Sequence, residues 1–104
     1  MKLKHGVSIA GSQPEIITAR KIADVLWQEH GQELVVTAGT ETPEKHMEGS
    51  KHAEGLADDY RVRYFDKPTR IIVVGKFKMR LRFVSKYYQV ILHARHMHVE
   101  YDEK

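Results

Sequence analysis

A chain of 104 residues without a single cysteine must hold its fold together by burying apolar surface, or by a metal bound through histidine and carboxylate. Neither a disulfide nor a thiolate metal site is open to it, which excludes thiol catalysis and every zinc finger built on cysteine pairs. The length suits a single domain over residues 1–104 and leaves no room for a second core. Hydrophobic residues make up 41% of the chain, enough to fill such a core. Seven histidines are the unusual part of the composition, and they are the residue type a cysteine-free metal site would need.

Seventeen Lys and Arg against fourteen Asp and Glu leave a formal charge of +3. This mild basicity points to an anionic partner without choosing among nucleic acid, a cell-wall polymer and a membrane surface. The first residues, Met1 to Ala10, carry positive charge but no apolar run of signal-peptide length, and no stretch of about 18 apolar residues occurs anywhere. The expectation is a chain synthesised in the cytoplasm without a signal peptide and not inserted in a membrane.

The first element begins at Ser12. Ser12-Gln13-Pro14-Glu15 has the S-x-x-E form of a capping box, with Pro14 in the first turn, where its missing N–H is harmless. Ile16, Ala19, Ile22 or Ala23, and Leu26 recur at spacings of three and four before Gly31, which predicts a helix over about residues 13–30. The run Glu33-Leu34-Val35-Val36-Thr37-Ala38 predicts a buried strand, and residues 39–51, broken by Gly39, Pro43 and Gly49, a loop. Alternation of apolar and charged residues predicts a second strand over residues 55–64.

Residues 69–84 satisfy two patterns. Ile71-Ile72-Val73-Val74 favours a strand by propensity, whereas Ile71, Val74, Phe77 or Lys78, and Leu81 share a helical face; connectivity selects the helix. The basic run over residues 76–82 is then the solvated side of an amphipathic element rather than a nucleic-acid site. Residues 88–93 and 96–101 read as two strands joined tightly through Ala94-Arg95. Trp27, Tyr60, Tyr64, Phe65 and Phe83 are expected in the core or a cleft wall. The fold class is α+β, a central antiparallel sheet with packed helices.

Two clusters carry most of the possible chemistry, residues 50–59 and His96-Met97-His98. On a strand the side chains of His96 and His98 face the same way, which can place one ring on a metal and the other beside it. Two imidazoles and one carboxylate with an open position form a standard catalytic zinc set. Alternation turns Asp58 away from Asp59 and so away from such a site. His46 falls in the loop before His52, solvated or lining the cleft, while His5 and His30 are expected to be exposed and inert.

Ser50-x-His52-x-x-Gly55-x-Ala57-x-Asp59 resembles the S-x-H-x-x-G-x-A-x-D motif of the zinc D-alanyl-D-alanine carboxypeptidases, a group that includes L-alanyl-D-glutamate endolysins of phages. His96-x-His98 is similar to the H-x-H that these enzymes share with lysostaphin-type peptidases and the Hedgehog signalling domain. The resemblance runs over about residues 14–102. Leu34 to Gly39 looks like the strand leading into the family's site, His46 to Ser50 precedes the first ligand as in small phage-encoded members, and His98-Val99-Glu100-Tyr101-Asp102 is similar to the H-I/V-E-Y-D ending of those proteins.

The resemblance implies a Hedgehog/DD-peptidase-like fold and a zinc peptidase that cleaves peptidoglycan stem peptides, encoded by a phage or prophage. It implies zinc on His52, Asp59 and His98 with the fourth position left to water, and His96 beside it as a catalytic group, a role that His93 can share because an imidazole titrates near working pH. Such a protein reaches the wall through a holin, a virion or lysis. Two positions depart from the family's pattern. Residue 93 is histidine where many members carry a general-base glutamate, and Thr40-Glu41 stand where many carry a substrate-holding arginine, a role left open to Arg61, Arg63 or another base. Two other readings use the same sequence: a non-catalytic zinc-binding domain of the same fold, and a basic nucleic-acid-binding protein.

Overall fold

The computed structural model describes residues 1–41 and 50–103, so His46 lies outside the described residues. Chain order is β1 (Lys2–Leu3), α1 (Pro14–Glu29), β2 (Val35–Ala38), β3 (Ala57–Arg61), α2 (Lys67–Val84), β4 (Tyr88–Leu92) and β5 (His96–Tyr101). The strands form one sheet in the order β1-β2-β3-β5-β4. It is an α+β fold, and the sheet is mixed rather than wholly antiparallel as expected. The short β1, which no sequence pattern marks, pairs in parallel with β2, and the crossover through α1 makes that direction possible.

α1 follows its predicted apolar face, burying Ile16, Ala19, Ala23, Leu26 and Trp27. Gly31 terminates it with φ +78°, a conformation that glycine adopts without strain. The capping box does not form. Gln13 occupies the N-cap without a side-chain bond, while the Ser12 hydroxyl donates to the Ile9 carbonyl at 2.8 Å and accepts from Arg20 at 2.9 Å. The cause is Arg20, which turns inward from α1 to meet the fully buried Asp58 with Nε–Oδ2 2.8 Å and Nη2–Oδ1 2.9 Å.

α2 is a helix, as connectivity required. It starts two residues earlier than expected because Asp66 caps it, accepting from the Thr69 N–H at 2.8 Å. The expected inward face holds except at its first residue. Val73, Val74, Phe77 and Leu81 turn inward, and Ile71, expected inside, is two-thirds exposed. Phe83 is a second correction, at 88% exposure neither core nor cleft wall.

Both helices cover one face of the sheet. Trp27, Tyr60 and Phe77 meet edge-to-face there with centroids 5.8–6.0 Å apart, and Met97 and Val99 of β5 close the core beneath them. Asp58 and Tyr60 point to this side, so alternation sends Asp59 and Arg61 to the other. On β5 the same rule places His96, His98 and Glu100 on the open face, opposite Met97 and Val99. The predicted hairpin closes through residues 94–95, with the His93 N–H bonded to the His96 carbonyl at 2.9 Å.

Candidate metal centre

Every fixed position of the 50–59 motif has a physical task. The Ser50 hydroxyl accepts from the His52 N–H at 3.1 Å, folding the start of a tight turn that presents the ring of His52. Gly55 ends that turn at φ +75°, and a Cβ there would stand 2.3 Å from the Gly11 carbonyl oxygen, so only glycine fits. Its own carbonyl accepts from the Gln13 N–H at 2.9 Å, fastening the turn to the start of α1. Ala57 then opens β3, which carries Asp59.

The register does the rest. Asp59 lies opposite His98 in the β3–β5 ladder, and Arg61 opposite His96. His52, Asp59 and His98 thereby come together with one ligand atom from each within 4.8 Å of the others. Asp59 Oδ1 sits 2.8 Å from His98 Nδ1 and 3.4 Å from His52 Nε2. Four ligands on a tetrahedral zinc at bond lengths of ~2.0–2.1 Å stand roughly 3.3 Å from one another. The two Asp59 distances bracket that spacing, and with all three ligand atoms within 4.8 Å of one another the side chains reach such an ion by closing the two rings toward it.

Partners behind the rings fix which nitrogen faces the group. His52 Nδ1 lies 3.0 Å from the Gly39 carbonyl, which turns Nε2 toward Asp59. His98 Nε2 lies 2.9 Å from Glu100 Oε1, which turns Nδ1 toward Asp59. Carbonyl and carboxylate partners of this kind set ring tautomer and basicity at metal sites. Gly39 is itself packed so closely that a Cβ would meet the Ser8 carbonyl at 2.3 Å. Its N–H donates to Glu41 Oε1 at 2.7 Å.

The three groups are also coupled electrostatically. Burial pushes the Asp59 carboxyl up, but hydrogen bonds and charge from His52 and His98 outweigh it and hold the group well below the usual carboxylate range. The Asp59 hydrogen bond raises the His98 pKa, against burial and with help from Glu100. Burial lowers that of His96, with the Asp59 charge in partial opposition.

His96 is half-buried with Nε2 3.7 Å from Asp59 Oδ2, beside the three-residue group rather than within it. His93 is exposed and stacks on His96 with ring centroids 4.8 Å apart. Asp58 is committed to Arg20 on the far side of the sheet. His5 is exposed, and His30, expected to be exposed, is half-buried with its ring against Phe65 and Nε2 3.3 Å from Lys76 Nζ.

Next to the centre a cleft of about 300 Å³ is lined by Lys4, Thr37, Asp59, Arg61, Arg63, Arg95 and His96. Both arginines named from sequence are present, with Lys4 and Arg95 in addition. Glu41, in the position where many members of the resembling family carry arginine, is turned to the backbone of Ser8 and Gly39. Sequence reasoning missed Glu100 and Arg20. Glu100 was open to the same i, i+2 rule that paired His96 with His98, whereas the partnership of Arg20 with Asp58 spans 38 positions and has no local signal.

No family model matches the chain, and neither a curated protein nor a solved structure matches it.

Proposed function

We propose that the chain is a zinc-dependent peptidase acting on peptidoglycan stem peptides, of the carboxypeptidase and endolysin type that its two motifs resemble. The observation that carries this reading is the convergence of His52, Asp59 and His98 on the open face of the sheet, with a fourth group, His96, beside them. The finer fold assignment, Hedgehog/DD-peptidase-like, rests on the same placement, with helices on one sheet face and histidines on the other.

His52, Asp59 and His98 would hold the zinc. When bound, the ion supplies Lewis-acid polarisation of a peptide carbonyl and a nucleophile from water at neutral pH. The residues of the chain do the remaining work. His96, kept neutral near pH 7 by its lowered pKa, accepts a proton at Nε2 and returns it to the leaving amine. His93, stacked on it, fixes the plane of the ring. Arg61, Arg63, Arg95 and Lys4 give the cleft a positive charge suited to the carboxylates of a stem peptide.

The test is turbidity loss and released-peptide mass on purified peptidoglycan. Cleavage is expected to stop on chelation, return with zinc and be absent in His98→Ala, while His96→Gln keeps its zinc and loses about 10²–10⁴ in kcat. Fragment masses name the bond, D-Ala-D-Ala or L-Ala-D-Glu. A folded protein with one zinc per chain and no cleavage would move the reading to a non-catalytic zinc domain. DNA binding that is salt-sensitive and survives chelation would move it to a nucleic-acid-binding protein.

A further inference from the structure

The helix layer has an outer surface that the metal centre does not use. Every charged residue of α2 is a cation. Its inner face is filled by Val73, Val74, Phe77 and Leu81, yet the opposite side does not become purely polar. Ile72, Met79 and Phe83 follow one another at spacings of seven and four, which stacks them along one outward row with Lys76 between them. They are 52%, 63% and 88% exposed.

Cations line both sides of this crest. Lys78 and Arg82 flank it on the side facing β4, where they share a groove with Tyr88, Gln89 and Val90, and neither has a carboxylate partner among the described residues. On the other side a groove of about 510 Å³ between the helices is lined by Lys21, Ile22, Val25, Arg80 and Phe83. Arg80 is bound to Glu29 there, and Lys21 is not paired among the described residues.

From this arrangement we infer that the outer face of the helix layer binds the surface of an anionic lipid bilayer. An apolar ridge with cations on its shoulders matches the boundary between acyl chains and anionic headgroups, where Phe83, Met79 and Ile72 enter the apolar zone and the lysines and arginines stay among the phosphates. Charge decides against a second copy of the chain, because two crests flanked by Lys78, Arg82, Lys76 and Lys21, with Glu29 already taken by Arg80, repel when placed face to face. The apolar crest decides against a nucleic acid, whose backbone is held by hydrogen bonds from polar groups rather than by phenyl and thioether side chains. The contact lies on the surface and needs no crossing: no helix among the described residues is long and apolar enough to span a membrane. Docked this way, the chain turns the open sheet face with His52, Asp59 and His98 away from the lipid.

The experiment is co-sedimentation of the full chain with phosphatidylcholine vesicles, with and without phosphatidylglycerol. Binding is expected only with phosphatidylglycerol, weakened at high salt, and reduced at least about tenfold both in Met79→Ser/Phe83→Ser and in Lys78→Gln/Arg82→Gln. Circular dichroism and zinc titration of both variants, expected to match the unaltered chain, show that the fold and the opposite face are intact. Equal binding to both vesicle types, or undiminished binding by Met79→Ser/Phe83→Ser, would overturn the inference. So would duplex DNA binding without vesicle binding, or a dimer that this variant disperses.

Discussion

His98 is held at both ring nitrogens, by Asp59 at Nδ1 and Glu100 at Nε2, and that double restraint makes a strand residue into a directed ligand. If Glu100 sets the orientation of His98, Glu100→Gln keeps the fold and weakens zinc binding by roughly 10–100-fold in a competition titration with a chelator. An unchanged affinity would mean that Glu100 only neighbours the ring. The three candidate ligands were named through the resemblance of their motifs, while strand alternation by itself put His96 and His98 on one face and turned Asp58 away from Asp59. The orienting partners were less legible: the Gly39 carbonyl is a backbone group, and its meeting with His52 depends on the path of the turn.

Among the elements, α2 shows most clearly what local pattern can and cannot decide. Its existence and most of its inward face were legible, since Val74, Phe77 and Leu81 are buried as expected; its start at the Asp66 cap and the burial of Val73 in place of Ile71 were not, because they follow from capping and tertiary packing. Gly75 lies on its exposed side, and a Cβ there meets nothing within 4 Å. Gly75→Ala therefore raises unfolding stability by roughly 1 kcal/mol, read as a higher urea midpoint at unchanged m-value. A loss of stability would show that the glycine answers a packing need. β1 escaped sequence reasoning because two residues cannot display a period, and its parallel partner is met only after α1. The buried Arg20–Asp58 pair likewise drew Ser12 out of a motif that looked like a cap. A long-range charge outranked a local preference.

For the molecule as a whole, one sheet separates two chemistries, with the apolar core and helices on one face and the histidine cluster on the other. The division gives pH effects of opposite sign with and without metal. In the metal-free protein the raised pKa of His98 contributes stability at low pH that is lost as pH rises through its folded value, above the usual 6.5. Zinc requires the same ring deprotonated, so its affinity grows over that range. The thermal shift produced by zinc is thus expected to be small near pH 5 and large near pH 8; a shift independent of pH would remove His98 from the ligand set. The most direct measurement is calorimetric titration of the metal-free chain with zinc at pH 7.5, alongside His98→Ala and Asp59→Asn. The predicted result is one zinc per chain, with affinity reduced by more than about 100-fold in each variant. A folded chain that takes up no zinc, or variants that bind it as tightly as the unaltered protein, would contradict the metal centre and the proposed activity with it.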